Sequence, residues 1–149
     1  MNQRKRKKLS RQLLDASRAG DVARVRAALR TGVGPDIPDI EGPTPLYLAS
    51  VNGEAEVVRL LLKAGASPDT ESAGIGSEGT PLCAAACWGH TETVRVLLAH
   101  GADPNRREER GTGCSPLDWA RQGPHPETVE LLSAAGATSR YKISPARGA

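Results

Sequence analysis

Apolar residues in this 149-residue chain come in short bursts separated by Gly, Pro, Asp and Ser. Within a burst the spacing is helical. Val57, Val58, Leu61 and Leu62 form one such set, Val94, Leu97 and Leu98 a second, and Val129 and Leu132 a third. These sets predict helices over 55–64, 91–100 and 126–135. Gly65, Gly101 and Gly136 follow them and predict left-handed stops. A shorter apolar stretch precedes each of these helices. It opens at Thr44-Pro45, Thr80-Pro81 and Ser115-Pro116, where a hydroxyl caps the first turn and proline enters with its φ already helical. It ends at Asn52-Gly53, Trp88-Gly89 and, more loosely, Gln122-Gly123, where glycine tolerates positive φ.

The bursts keep a period. The phrase Thr44-Pro45-Leu46 returns at Thr80 and again at Ser115, steps of 36 and 35 residues. Gly32, Gly65, Gly101 and Gly136 are separated by 33, 36 and 35. The first unit lacks Thr-Pro-Leu but keeps Leu13, Ala16 and Gly20, each 33 residues before Leu46, Ala49 and Gly53. A period of this size means stacked helix–turn–helix units, which build binding surfaces far more often than active sites.

Asp39, Gly42, Thr44-Pro45-Leu46, Leu48-Ala49, Gly53, Val57-Val58, Leu61-Leu62 and Gly65-Ala66 together resemble the ankyrin repeat, as do Gly89-His90, Glu92 and Gly101-Ala102-Asp103-Pro104-Asn105. The resemblance implies an all-α solenoid with loops or short β-hairpins projecting from the stack. The shorter helices would line its concave face. We read one repeat domain over 9–138, with repeats at about 9–36, 39–71, 75–107 and 110–138. It is flanked by a basic, flexible arm over 1–8 and a tail over 139–149, whose Tyr141 and Ile143 are candidates to fold over the last repeat. The histidine usual after Thr-Pro-Leu is replaced by Tyr47, Cys83 and Asp118, which weakens a hydrogen-bond network common in the family. The stretches Thr70–Gly79 and Arg106–Gly113 exceed the repeat by about three and two residues, and both extensions fall at loop tips.

Composition fits this picture. With no Phe, two Trp and two Tyr, the chain lacks the aromatic bulk of one closed core, and thin layers of Leu, Val and Ala suffice for a stack. No apolar run approaches the ~18 residues of a membrane span, and the basic start is not followed by one. A cytoplasmic, monomeric protein is expected. Three cysteines suit reduced, packed thiols. Net charge is +3, yet Arg4, Lys5, Arg6, Lys7, Lys8 and Arg11 carry six positive charges, so the remainder stands at −3.

Candidate chemistry is sparse. Cys83 and Cys87 lie one helical turn apart, with His90 and Cys114 as the available further metal ligands, but no short paired Cys-x-x-Cys spacing supports a site. Asp36, Asp39, Asp69 and Asp103 recur at the repeat period, which predicts local loop capping rather than an acid–base pair. We assign no catalytic residue, metal or cofactor. The functional reading is a non-enzymatic module that binds a partner protein. The resemblance places its contacts on loop tips (Ile40, Glu41 and Pro43; Ser77 and Glu78; Thr112 and Cys114) and on the ends of the short helices (Arg18, Val51, Asn52, Cys87, Trp88 and Gln122). Trp88 either anchors a partner or packs flat on the neighbouring unit. Trp119 is expected as buried filler in the last layer and Tyr47 as half-buried. The alternative function is an adaptor whose basic arm contacts nucleic acid or an anionic membrane surface.

Overall fold

The structure is a computed structural model; it describes residues 1–37, 42–74 and 77–139, without the side chains of Gly74, Ser77 and Glu78. Helices pair along the chain: α1 (Gln3–Ala19) with α2 (Val22–Arg30), α3 (Pro45–Val51) with α4 (Ala55–Lys63), and α5 (Pro81–Cys87) with α6 (Thr91–Ala99). A short turn, α7 (Glu108–Gly111), whose two middle residues have left-handed rather than helical backbones, precedes the last pair, α8 (Pro116–Gln122) and α9 (Pro126–Ala134). The pairs stack so that α1, α3, α5 and α8 form one row and α2, α4, α6 and α9 a second.

The short helices begin where the hydroxyl–proline phrase predicts. The Thr44 and Thr80 hydroxyls accept from the N–H of Tyr47 and Cys83, each at 3.1 Å. Ser115 does the same for Asp118 at 3.2 Å, and the Asp118 carboxylate accepts from the Ser115 N–H at 2.9 Å, closing a capping box. Asp118 also receives the Ser139 hydroxyl at 2.5 Å. The residue that replaces the usual histidine here therefore builds a new network, and the expected weakening does not apply at this repeat.

Equivalent residues bury in register. Leu13, Leu46, Leu82 and Leu117 are at most 2% exposed, and Ala16, Ala49, Ala85 and Ala120 are fully buried. The alanines let the short helices approach closely, while the leucines fill the space between rows. In the second row Leu61, Leu97 and Leu132 are fully buried, as are Val25, Val58 and Val94. Each such side chain contributes ~1.5–3 kcal/mol through burial. Tyr47, expected half-buried, is buried because the helix row covers it on both sides. Trp119, expected buried, is half-buried and packs against the core from the last layer, where no further described unit covers it.

Two further expectations change. Residues 3–8 are not a flexible arm but the leading turns of α1. Asn2 caps them by accepting the Lys5 N–H at 2.8 Å, and Lys, Arg and Leu are good helix formers continuous with the anchored Leu13 and Leu14. Gly123 has an extended backbone (φ −112°) rather than a left-handed stop: it is the C-cap residue, the place of Asn52 and Trp88, and Pro124 stands where the left-handed Gly53 and Gly89 do. The extra length in Thr70–Gly79 is used by a hairpin of β1 (Ser72–Gly74) and β2 (Ser77–Gly79), antiparallel with Ser72 opposite Gly79. Tyr141 and Ile143 lie outside the described residues.

Candidate docking edge and loop tips

The turns between paired helices line up along one edge of the stack, and a repeated contact locks them together. Gly53 has φ +71°, and the His90 ring of the next repeat lies where a Cβ would stand, its Nδ1 2.6 Å from that position. The same ring reaches past the glycine, and its Nε2 bonds the Val51 carbonyl at 3.1 Å. One repeat on, the His125 ring covers Gly89 (φ +68°) and bonds the Cys87 carbonyl at 3.1 Å. At the first junction the Glu54 side chain occupies this place over Gly20. His90, named from sequence as an available metal ligand, and His125 are thus structural clasps between repeats.

Along this clasped edge the short helices end, and here they meet solvent. Pro81–Ala86 are all buried, so α5 shows little of its face. What it exposes is its end: Cys87 is half-buried, and Trp88, the C-cap residue, is 63% exposed. Trp88 does not pack flat on the neighbouring unit. Asn52, Gln122 and Arg18 are exposed at the matching ends of α3, α8 and α1, and Val51 is half-buried. Asn52 is held by donating from its Nδ2 to the Leu48 carbonyl at 2.8 Å. These five positions form one row.

The loop tips stand apart from that row, at the other ends of the short helices, ~10 Å away for seven residues. Thr112 is exposed there, its hydroxyl donating to the Glu109 carbonyl at 2.8 Å, and Cys114 is half-buried. Pro43, expected at an exposed tip, is buried. Ile40 and Glu41 lie outside the described residues, as do the side chains of Ser77 and Glu78.

The periodic loop acids do more than cap their own turns. Asp36 accepts from the Ser67 N–H at 3.0 Å, Asp69 from the Asp103 N–H at 3.0 Å, and Asn105 from the Thr138 N–H at 2.8 Å. Each bond joins one repeat to the next, correcting the expectation of purely local bonds. Asp103 alone of these also closes a local turn, onto the Asn105 N–H at 2.9 Å. Asp39 lies outside the described residues.

The Arg106–Gly113 loop holds groups that the sequence reading missed. Glu109 and Arg110 have left-handed backbones (φ 49° and 56°), rare for residues other than glycine. They fold the tip so that Glu108 turns inward, against Gly79, Cys83 and Trp119. Burial raises the Glu108 pKa, and the neighbouring Glu109 and Glu71 add to the rise. The Trp119 indole and the Cys83 thiol oppose it. That indole N–H is buried with no acceptor at hydrogen-bond distance among the described residues, so its help is that of a nearby dipole. Arg106, Arg107 and Arg110 line an open hollow of about 430 Å³ together with Glu71, Asp103 and Asn105. The signal in the sequence was the Arg-Arg-Glu-Glu-Arg run, whose mixed charge gave no direction.

Burial quiets the thiols of Cys83 and Cys87. The Cys83 thiol faces the Arg106 and Cys114 carbonyls at 3.8 and 3.9 Å, and burial pushes its pKa far up, so it stays protonated. Burial also raises Cys87, with the Glu108 charge second. His90 is turned away to the Val51 carbonyl. Among the described residues no three His, Cys, Asp or Glu side chains converge as metal ligands, and no helix is long and apolar enough to cross a membrane.

With the repeats, clasps and loops in place, comparison with known proteins defines the class. A family model described as ankyrin repeats (3 copies) matches residues 13–108 and again 73–142. The chain belongs to the ankyrin-repeat family, whose fold is generally a protein–protein interaction module rather than a catalytic one. The chain is also similar to palmitoyltransferase Hip14 of Drosophila melanogaster, 34% identical over 130 residues. That alignment covers 87% of this chain but 15% of the Drosophila protein, so the activity in that name does not carry over.

Proposed function

We propose that this protein is a non-enzymatic binding module whose partner protein seats on the row of short-helix ends, with Trp88 as its anchor. The observation that carries the reading is the 63% exposure of Trp88 on an edge that is otherwise clasped. A large aromatic side chain in water is a poor use of apolar surface unless something covers it, and Trp is enriched among residues that dominate interface energy. The clasps matter as much as the indole. Because His90 and His125 fix the turns, little conformational freedom is lost on binding. Val51, Asn52, Gln122 and Arg18 supply a mixed rim around the anchor. The loop tips, with Thr112 and the three arginines, form a second contact region for the same partner.

The test is affinity capture with wild type and with a Trp88→Ala, Val51→Ala variant. Trp88→Ala should leave stability within ~0.5 kcal/mol, because the site is exposed, while partner affinity falls by ~2 kcal/mol or more. Retention of the same partners at unchanged affinity by the folded double variant would overturn the proposal.

A further inference from the structure

The leading half of α1 carries a run of positive charge with no acid in it. Arg4, Lys5, Arg6, Lys7, Lys8, Arg11 and Arg18 are all exposed, and Asp15 is the one acid between residues 1 and 20. Helical geometry sorts these charges. Ser10, Leu13, Leu14, Ala16 and Ser17 face the stack. Arg4, Lys8 and Arg11, at intervals of four and three, line the side of the helix turned away from the stack; Lys7 stands at its border, seven residues before Leu14, and Asp15 lies among them.

Two comparisons within the molecule show that this charge is unspent. On the second helix row, Arg26 meets Glu56, Glu56 meets Arg59, Arg59 meets Glu92, and Glu92 meets Arg95, so that face neutralises itself across three repeats. The hollow at the loop tip sets two acids, Glu71 and Asp103, among its three arginines. Among the described residues no α1 cation forms an ion pair.

We propose that this cationic part of α1 docks on duplex DNA, gripping the phosphate backbone without reading base sequence and seating its leading turns in the major groove. The face carries no aromatic residue, and its one exposed large apolar side chain among the described residues is Met1 at the tip; a phosphate backbone needs only charge. The apolar residues of α1 are already turned into the stack, so no apolar face is left to enter a bilayer. Residues 3–8 are exposed on all sides. As helix they extend ~9 Å with a width of ~10–12 Å, close to the ~8.5 Å depth and ~12 Å width of the groove. Arg18, at the far end of α1, belongs to the Trp88 row; Arg4, Lys7, Lys8 and Arg11 do not, so the two readings are tested at different residues.

The experiment is fluorescence anisotropy with a labelled 20-base-pair DNA duplex of mixed sequence and the full chain. If about five phosphates are neutralised, affinity should fall ~500-fold between 50 and 200 mM salt. It should also be insensitive to base sequence. A Lys7→Glu, Lys8→Glu, Arg11→Glu variant should lose binding, and milder Lys7→Gln, Lys8→Gln should weaken it while preserving the circular dichroism spectrum. Arg59→Gln, Arg95→Gln removes two cations that are already paired and should leave affinity within about twofold. Three outcomes overturn the proposal: no duplex binding at 50 mM salt, binding indifferent to salt, or binding unchanged in the folded Gln variant. Equal or tighter binding to poly-glutamate, or to phosphatidylserine–phosphatidylcholine vesicles at the same salt, would also overturn it, in favour of a plain polyanion or a membrane surface.

Discussion

The two edges of the stack solve the same problem differently. At the turn edge one small residue and one ring meet: His90 over Gly53, then His125 over Gly89. The fit needs a glycine for two reasons at once, a left-handed backbone and an absent Cβ. At the loop edge the repeats are joined by single carboxylate or amide groups, Asp36, Asp69 and Asn105, each reaching a backbone N–H of the next unit. That join leaves room for extra residues, and the hairpin at 72–79 and the left-handed tip at 109–110 occur there. A ring packed on a glycine fixes geometry; a hydrogen bond at a loop root fixes spacing and lets the tip vary. Rigid anchors therefore belong to the first edge and variable charge to the second.

The layer beneath both edges sets the largest effect. Leu97→Ala should cost ~2–5 kcal/mol in chemical denaturation, since Leu97 is fully buried between repeats and its removal leaves a cavity. A smaller loss would mean the layers relax onto one another more than their packing indicates.

The turn edge itself is tested by two glycines. Gly53 and Gly65 both have positive φ, at 71° and 99°, but only Gly53 has a ring in the Cβ position, and Gly65 faces open space. Gly65→Ala should cost ~1–2 kcal/mol, the left-handed penalty alone. Gly53→Ala should cost ~1–3 kcal/mol beyond that, through overpacking on His90. A double-mutant cycle with His90→Ala should recover the excess and leave the backbone penalty. Equal costs at the two glycines would remove the clasp from the account.

The next effect lies at the other ends of the short helices. Thr80→Ala deletes the cap on the Cys83 N–H in a fully buried site and should cost ~1 kcal/mol. Thermal melts are sufficient to read it.

The smallest concerns the loop edge and carries a pH signature. Glu108 has a folded pKa raised chiefly by burial. The group is neutral in both states below the ordinary glutamate value of ~4.3, so no penalty exists there. As pH rises through the raised folded value, the unfolded chain has already lost its proton and the folded state is penalised. Glu108→Gln should therefore match wild type in acid and become the more stable protein as pH climbs toward neutral, by a modest amount because the loop is partly solvated. Wild type gaining on Glu108→Gln over that range would reverse the sign and refute the inward carboxyl.

Much of this was legible in the chain itself. The register of Leu46, Leu82 and Leu117, the hydroxyl–proline caps and the stops at Gly65, Gly101 and Gly136 are local or periodic, and each is found where it was expected. The candidate site was legible in part. Trp88 stood out by type and position, but its exposure depends on what the neighbouring turn leaves uncovered. The functions of His90, His125 and Glu108 were not legible, because each acts on a residue more than twenty positions away and none belongs to a paired motif.

Local propensity and the spacing of apolar residues thus determined that this chain stacks helix pairs, since capping, left-handed stops and helical period are properties of neighbouring residues. Tertiary structure decided which side chains meet across the repeats. It turned two turn histidines into clasps, drew a glutamate inward and left one tryptophan in water. Those outcomes depend on how closely adjacent layers approach, and no single unit contains that distance.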